Sequence, residues 1–190
     1  MLETMLLGAT LFASTNIDDI FLLMAFFADQ RLDRRAIVAG QFLGIGALVA
    51  VSVVAAACAV AVPRHWLSLL GLAPLAIGLH RLWSSWRAGA TPADGDESSR
   101  PTGAGLLAQV GAVAGVTAAN GGDNVGVYVP VFAHDLGAVP VLCAVFTALT
   151  AVWCVAGHFL VNHRLLAASM RRLSGLLLPY VLIGLGLWIL

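Results

Sequence analysis

The chain contains no lysine: all ten of its basic residues are arginine, set against ten acidic residues. Charge of either sign is scarce, at 11% of 190 residues, and no basic face or stripe stands out, which excludes the electrostatic footprint of a nucleic-acid binder. Cysteine is limited to Cys58, Cys143 and Cys154, all in apolar runs and without C-x-x-C spacing, so neither a disulfide framework nor a zinc ribbon is expected. No segment matches G-x-x-x-x-G-K-[ST], H-E-x-x-H or G-x-S-x-G, and the chain is not expected to be an enzyme or to hold a resident cofactor. The first apolar segment lacks a basic leader and an Ala-x-Ala signal near its end, and is read as a retained membrane span.

Apolar residues are what the chain has in abundance. At 60% hydrophobic and a mean hydropathy of +0.93, it carries more apolar surface than a soluble core can hide. About 20 apolar residues cross a bilayer as helix, and six such stretches occur, at roughly 2–27, 36–62, 66–86, 103–132, 138–161 and 173–190. The expected fold is therefore an all-α membrane protein of six transmembrane helices in one domain, 1–190. One connection, 87–102, is long and rich in Gly, Pro, Asp and Ser, as linkers are; it separates a half at 1–86 from a half at 103–190. The other links are short, as between antiparallel neighbours.

Nine of the ten arginines lie in or within a few residues of the first, third and fifth links, Arg81 being near the end of the third stretch, and only Arg64 lies in the second or fourth. Positive charge near span ends stays cytoplasmic, which places the 87–102 linker in the cytoplasm and both termini outside it. At an offset of 105 residues Asp18 meets Asp123, Asp19 meets Asn124, Phe27 meets Phe132, Pro74 meets Pro179 and Trp83 meets Trp188. Three spans separate the copies, so the second would enter the membrane in the opposite sense. The expectation is two inverted three-helix repeats, with spans one and four interrupted at their acidic motifs and the site near the midplane. Gly121 and Gly122 are read as supplying the backbone freedom for the second interruption.

Those motifs carry the chemistry. Asn16, Asp18 and Asp19 in the first span, and Asn120, Asp123 and Asn124 in the fourth, place carboxylates and amides at similar depth in apolar surroundings. Ionisable groups at bilayer depth are costly and are by default ion-pathway candidates; carboxylate and carbonyl oxygens suit hard divalent cations. Three acids facing one cavity would repel one another, so that a proton and a metal ion would compete for the site. Adjacent Asp18 and Asp19 cannot point the same way on an intact helix, so that either they serve different roles or the helix is broken there. The plainer alternative is polar residues joining helices, which fits the asparagines better than three aspartates with no mid-span arginine.

The N-I-D-D-I motif at 16–20, G-Q-F-L-G at 40–44 and N-G-G-D-N-V-G-V-Y-V-P at 120–130 resemble the bacterial cadmium-resistance transporter (Cad) family, part of the lysine-exporter superfamily of small inverted-repeat membrane proteins. The resemblance covers essentially the whole chain. It implies a multi-pass protein of the bacterial inner membrane that exports a divalent cation, with Asn16, Asp18, Asp19, Asn120, Asp123 and Asn124 handling the ion. Cadmium is soft and favours thiolate, whereas these motifs hold only oxygen donors. Cys154 and His158, four apart on span five, share a helical face and are a candidate secondary soft-metal or proton site; Cys143 lies near the same stripe.

The remaining polar residues invite blander readings. His80 lies near a cytoplasmic end, and Gln41 and Gln109 lie near span starts, where bonding to neighbouring helices suffices. Tyr128 and Pro130 follow the second motif, where a proline bend would position it. Trp66, Trp83, Trp86 and Trp188 sit near span ends, as in an aromatic belt. The function expected is metal export by metal/proton antiport, with a divalent ion, protons and the lipid bilayer as partners and no nucleic acid. An exporter of small organic solutes such as amino acids, or an intramembrane metal-dependent enzyme, is the alternative.

Overall fold

The computed structural model describes residues 1–60 and 105–161, with scattered helical positions within 72–83 and 180–187. Beyond those scattered positions, the third and sixth expected spans and the 87–102 linker lie outside the described residues. Among the described residues all regular structure is helical: α1 (Leu2–Thr15), α2 (Asp19–Ala28), α3 (Arg34–Val60), α4 (Leu106–Asn120), α5 (Gly122–His134), a 3-10 turn (Leu136–Ala138) and α6 (Val139–Leu160).

The long helices start where their caps dictate. Asp33 Oδ1 accepts from the Arg35 amide at 2.7 Å and the Asp33 carbonyl from the Ile37 amide at 3.0 Å, as an N-cap does. α6 carries Pro140 in its first turn, where the missing N–H costs no helical bond. By length and composition α3 and the stretch Leu136–Leu160 can each cross a membrane, and α1 with α2 makes a third crossing if the pair, bent by 60°, is one span. α4 and α5, of 15 and 13 residues, are each about 20 Å long, too short to cross alone. The break at Gly121 is why the fourth expected span is two helices.

Much of the apolar surface of the long helices faces outward. Leu43, Val51 and Val54 on α3 and Val152, Val155 and Phe159 on α6 are exposed, more than a surface in water carries without a partner. Surrounded by lipid, such side chains need no protein cover, and the chain is a membrane protein.

α3 packs chiefly against α4 and α5, and α6 against α1 and α2. The α3–α4 seam uses the 40–44 segment: a methyl at Gly40 would lie 2.6 Å from Val113 Cβ and 2.9 Å from the Val110 carbonyl, and one at Gly44 would lie 2.7 Å from Thr117 Cβ. Glycines four apart let two backbones approach, the usual small-residue packing of membrane helices. The main core joins Phe12, Tyr128, Phe132 and Phe146, with Phe12 and Phe146 rings 5.4 Å apart and Tyr128 and Phe146 rings 4.8 Å apart.

Several features recur at the 105-residue offset seen in the sequence. α1 and α4 end at Thr15 and Asn120, and α3 and α6 begin at Arg34 and Val139. Contacts between the halves recur with the partners exchanged. Gly8 faces Val145 as Gly40 faces Val113; Phe12 meets Phe146 where Thr117 meets Gln41; Trp153 binds Asn16 where Leu48 presses on Gly121.

Candidate metal-ion site

The first acidic motif is a helix break. α1 closes at Thr15, whose hydroxyl donates to the Leu11 carbonyl at 3.0 Å, while the Asn16 amide still reaches the Phe12 carbonyl at 2.9 Å. Asn16 leaves helical geometry at φ −110°, ψ 14°, and α2 restarts with Asp18 as N-cap and Asp19 in its first turn. The second motif repeats the pattern: α4 closes at Asn120, Gly121 intervenes, and Asp123 lies in the first turn of α5. At both breaks an acid therefore sits at the positive end of a short helix, where the dipole favours its negative charge. This offsets part of the burial cost of the acids, for which the sequence offers no mid-span arginine.

Gly121 adopts φ −85°, ψ 17°, a conformation open to any residue. The expected backbone-freedom role is thus not what this break needs. A side chain at 121 would run into Leu48 Cδ1 on α3; glycine lets that leucine approach closely. Gly122 meets nothing within 4 Å.

Side chains of the two breaks meet. Asn124 Nδ2 donates to Asn16 Oδ1 at 3.1 Å, and Asn120 Nδ2 donates to Asp19 Oδ1 at 2.6 Å. Asn16 Nδ2 lies 2.7 Å from the Tyr128 hydroxyl, which is also 3.1 Å from Thr15 Oγ1. Asn16, Asp19, Asn124 and Tyr128 are all essentially excluded from solvent, whereas Asp18 and Asp123 are half-buried and Asn120 is exposed. Asp18 and Asp123 both act on the Asp19 carboxylate as like charges. Asp19 Oδ2 and Asn124 Oδ1 are among the buried side-chain oxygens without a hydrogen-bond partner in the described residues.

The sequence-derived set is thus brought together unequally. Asn16, Asp19, Asn120 and Asn124 form direct links across the two halves. The three aspartates do not make a ready cage: among the described residues no three His, Cys, Asp or Glu side chains form a group that could hold a metal ion. Oxygen ligation here would have to mix carboxylate, amide and main-chain donors. Cys154 is buried among Leu23, Phe26, Ile37 and Val113, while His158 is exposed with its ring against Phe27 at 5.1 Å. Cys143 is half-buried.

Three residues matter more here than their sequence context indicates. Trp153 Nε1 donates to the Asn16 carbonyl at 2.6 Å, satisfying an acceptor that the helix break sets free; its mid-span position, unsuited to an interfacial belt, was the available signal. Tyr128 supplies the hydroxyl that joins Thr15 and Asn16, and its place eight residues after Asn120 gives no sign of this. Gln41, buried on α3, accepts from Thr117 Oγ1 at 2.8 Å and faces the Asp19 carboxylate. Gln109 has a different role: its Oε1 accepts from the Asp33 amide at 2.9 Å, tying the α2–α3 link to α4. Pro130 is buried inside α5, where it cannot donate to the Gly126 carbonyl. His80 and Trp83 are exposed; Trp66, Trp86 and Trp188 lie outside the described residues.

Comparison with curated proteins found no significant match, and comparison with solved structures found none either. Family profiles did: the profile described as cadmium resistance transporter matches residues 12–190, a stretch that takes in both helix breaks and every residue of the site. The chain belongs to the cadmium resistance transporter family.

Proposed function

We propose that the chain is a secondary exporter of divalent metal cations in the bacterial inner membrane, carrying the ion through the oxygen site at its two helix breaks and exchanging it for protons. The observation that carries this reading is that each half contributes a buried oxygen without a hydrogen-bond partner, Asp19 Oδ2 on one side and Asn124 Oδ1 on the other. An unsatisfied buried acceptor costs free energy, and a hard divalent cation that takes such oxygens as ligands would remove that cost. The family name supplies cadmium as the first ion to test.

Antiport follows from the crowding of Asp19 by Asp18 and Asp123. A carboxylate cluster of this kind is neutralised by a metal ion or by protons, and occupancy by one displaces the other. Alternating access follows from an inverted pair of three-helix repeats, 1–86 and 103–190. The contacts that recur with partners exchanged support it, as do the helix ends 105 residues apart. Rocking of one half against the other would open the site to either side in turn. The arginine distribution puts the 87–102 linker in the cytoplasm and both termini outside.

The test is transport by purified protein in liposomes, with cadmium, zinc, manganese and magnesium assayed in parallel, with and without an imposed pH gradient. At least one cation should move, faster with the gradient, and Asp19→Asn should stop it. Absence of movement for all four ions, or wild-type rates in Asp19→Asn, overturns the reading.

A further inference from the structure

The two seams related by the 105-residue offset are chemically different at one position. In the α1–α6 seam the position holds Phe12 against Phe146, rings 5.4 Å apart. In the α3–α4 seam it holds Thr117 against Gln41, both essentially fully buried and joined by a 2.8 Å hydrogen bond. An apolar pair therefore suffices for packing at this place in the fold. Burying an amide and a hydroxyl instead is unfavourable unless the polar atoms are used.

The use is directional. Thr117 Oγ1 donates to Gln41 Oε1, which fixes the orientation of the amide and leaves Nε2 as the end turned toward the Asp19 carboxylate that Gln41 faces. Asn120, three residues after Thr117 on α4, donates its own Nδ2 to Asp19 Oδ1 at 2.6 Å. Two amides, one from α3 and one from α4, thus approach the carboxylate of α2, and Oδ2 is left without a partner.

We infer that Gln41 is a positioning residue for the transported cation: with its orientation set by Thr117, it holds the Asp19 carboxylate so that Oδ2 is presented to the ion. The inference rests on the proposed cation-export function and adds to it two residues outside the acidic motifs. It assigns to the α3–α4 seam a task that the α1–α6 seam, closed by phenylalanines, does not have.

The experiment is cadmium uptake into proteoliposomes at varied cadmium concentration, with the melting temperature of each purified variant measured alongside. Gln41→Met keeps the volume without the amide, Thr117→Val keeps the shape without the hydroxyl, and Thr117→Ser restores it. Removing the amide that faces the carboxylate, in Gln41→Met, should raise KM by about fivefold, with Vmax little changed. Thr117→Val should raise KM less, and Thr117→Ser should return it toward wild type, all with melting temperatures near wild type. Wild-type KM in both Gln41→Met and Thr117→Val, in a protein whose transport Asp19→Asn still abolishes, refutes the inference and leaves the export reading standing. So does a fall in Vmax that tracks a fall in melting temperature, which marks a packing role. If the wild-type protein moves no cadmium, zinc, manganese or magnesium, the export reading fails and takes the inference with it.

Discussion

The Trp153 indole donates its N–H to the main-chain carbonyl of Asn16 at 2.6 Å, so that a side chain from the second half of the chain closes the break in the first. Its counterpart at the 105-residue offset, Leu48 against Gly121, makes the same meeting of helices without a hydrogen bond. The two breaks are held by different means: one by a polar cap, the other by close packing onto glycine.

Trp153→Phe should keep the edge-to-face contact with Phe12, whose ring lies 5.4 Å away, while leaving the Asn16 carbonyl without its donor. A buried acceptor deprived of its partner costs about 1–3 kcal/mol. Unfolding of the detergent-solubilised variant should show a loss of stability in that range; an unchanged unfolding curve would mean that the carbonyl has another donor.

Asp19→Asn should abolish cation uptake, or lower it by about tenfold or more, because a neutral amide lacks the charge that offsets dehydration of a divalent ion. Asp135→Asn is the matched control. Its carboxylate is exposed and accepts from the Gly137 amide at 2.9 Å, so uptake should stay near wild type. Equal rates in the two variants would remove Asp19 from the site.

Gly40→Ala and Gly46→Ala, both on α3, should part company. The added methyl at 40 would lie 2.6 Å from Val113 Cβ and 2.9 Å from a main-chain carbonyl, while at 46 it meets nothing within 4 Å. Overpacking of this kind costs about 1–3 kcal/mol, so the first variant should melt lower and the second near wild type. Matching melting temperatures would show that the α3–α4 seam can spread.

Tyr128→Phe removes the hydroxyl that lies 2.7 Å from Asn16 Nδ2 and 3.1 Å from Thr15 Oγ1, and nothing else. The expected loss is about 1–2 kcal/mol in stability, together with slower cation uptake as Asn16 Nδ2, left with the Phe12 carbonyl and Thr15 Oγ1, holds the Oδ1 that faces Asn124 less firmly. Stability loss with unimpaired uptake would limit Tyr128 to a scaffold role.

Cys154→Ala should leave cadmium uptake within about twofold of wild type if oxygen donors carry the ion. Cys154 sits in an apolar cluster, and the exposed His158 lies against Phe27. A large loss of cadmium uptake with manganese uptake intact would instead assign a thiolate step to α6.

Much was legible from residue order alone. Hydrophobic runs show membrane helices because a bilayer leaves few alternatives for so apolar a chain. The Asn and Asp of 16–20 and 120–124 mark a polar site because their burial is costly wherever it occurs. The 105-residue offset was readable from Asp, Pro and Trp matches, and helix ends at Thr15 and Asn120 fall on it. Left undetermined was which atoms meet. Asp18, Asp19 and Asp123 look alike in a sequence, yet only Asp19 is essentially fully buried, while Asp18 and Asp123 are half-buried. Gly121 looks like a hinge, yet its backbone is open to any residue and Leu48 packs closely on it. Gln41 and Gln109 hold similar places near span starts, and contacts more than 70 residues away along the chain separate a partner of Asp19 from a tie on the α2–α3 link. Composition and periodicity are summed along the chain and so decide solvent, helix and depth; hydrogen-bond partners depend on which helix faces which, and only the packed structure sets that.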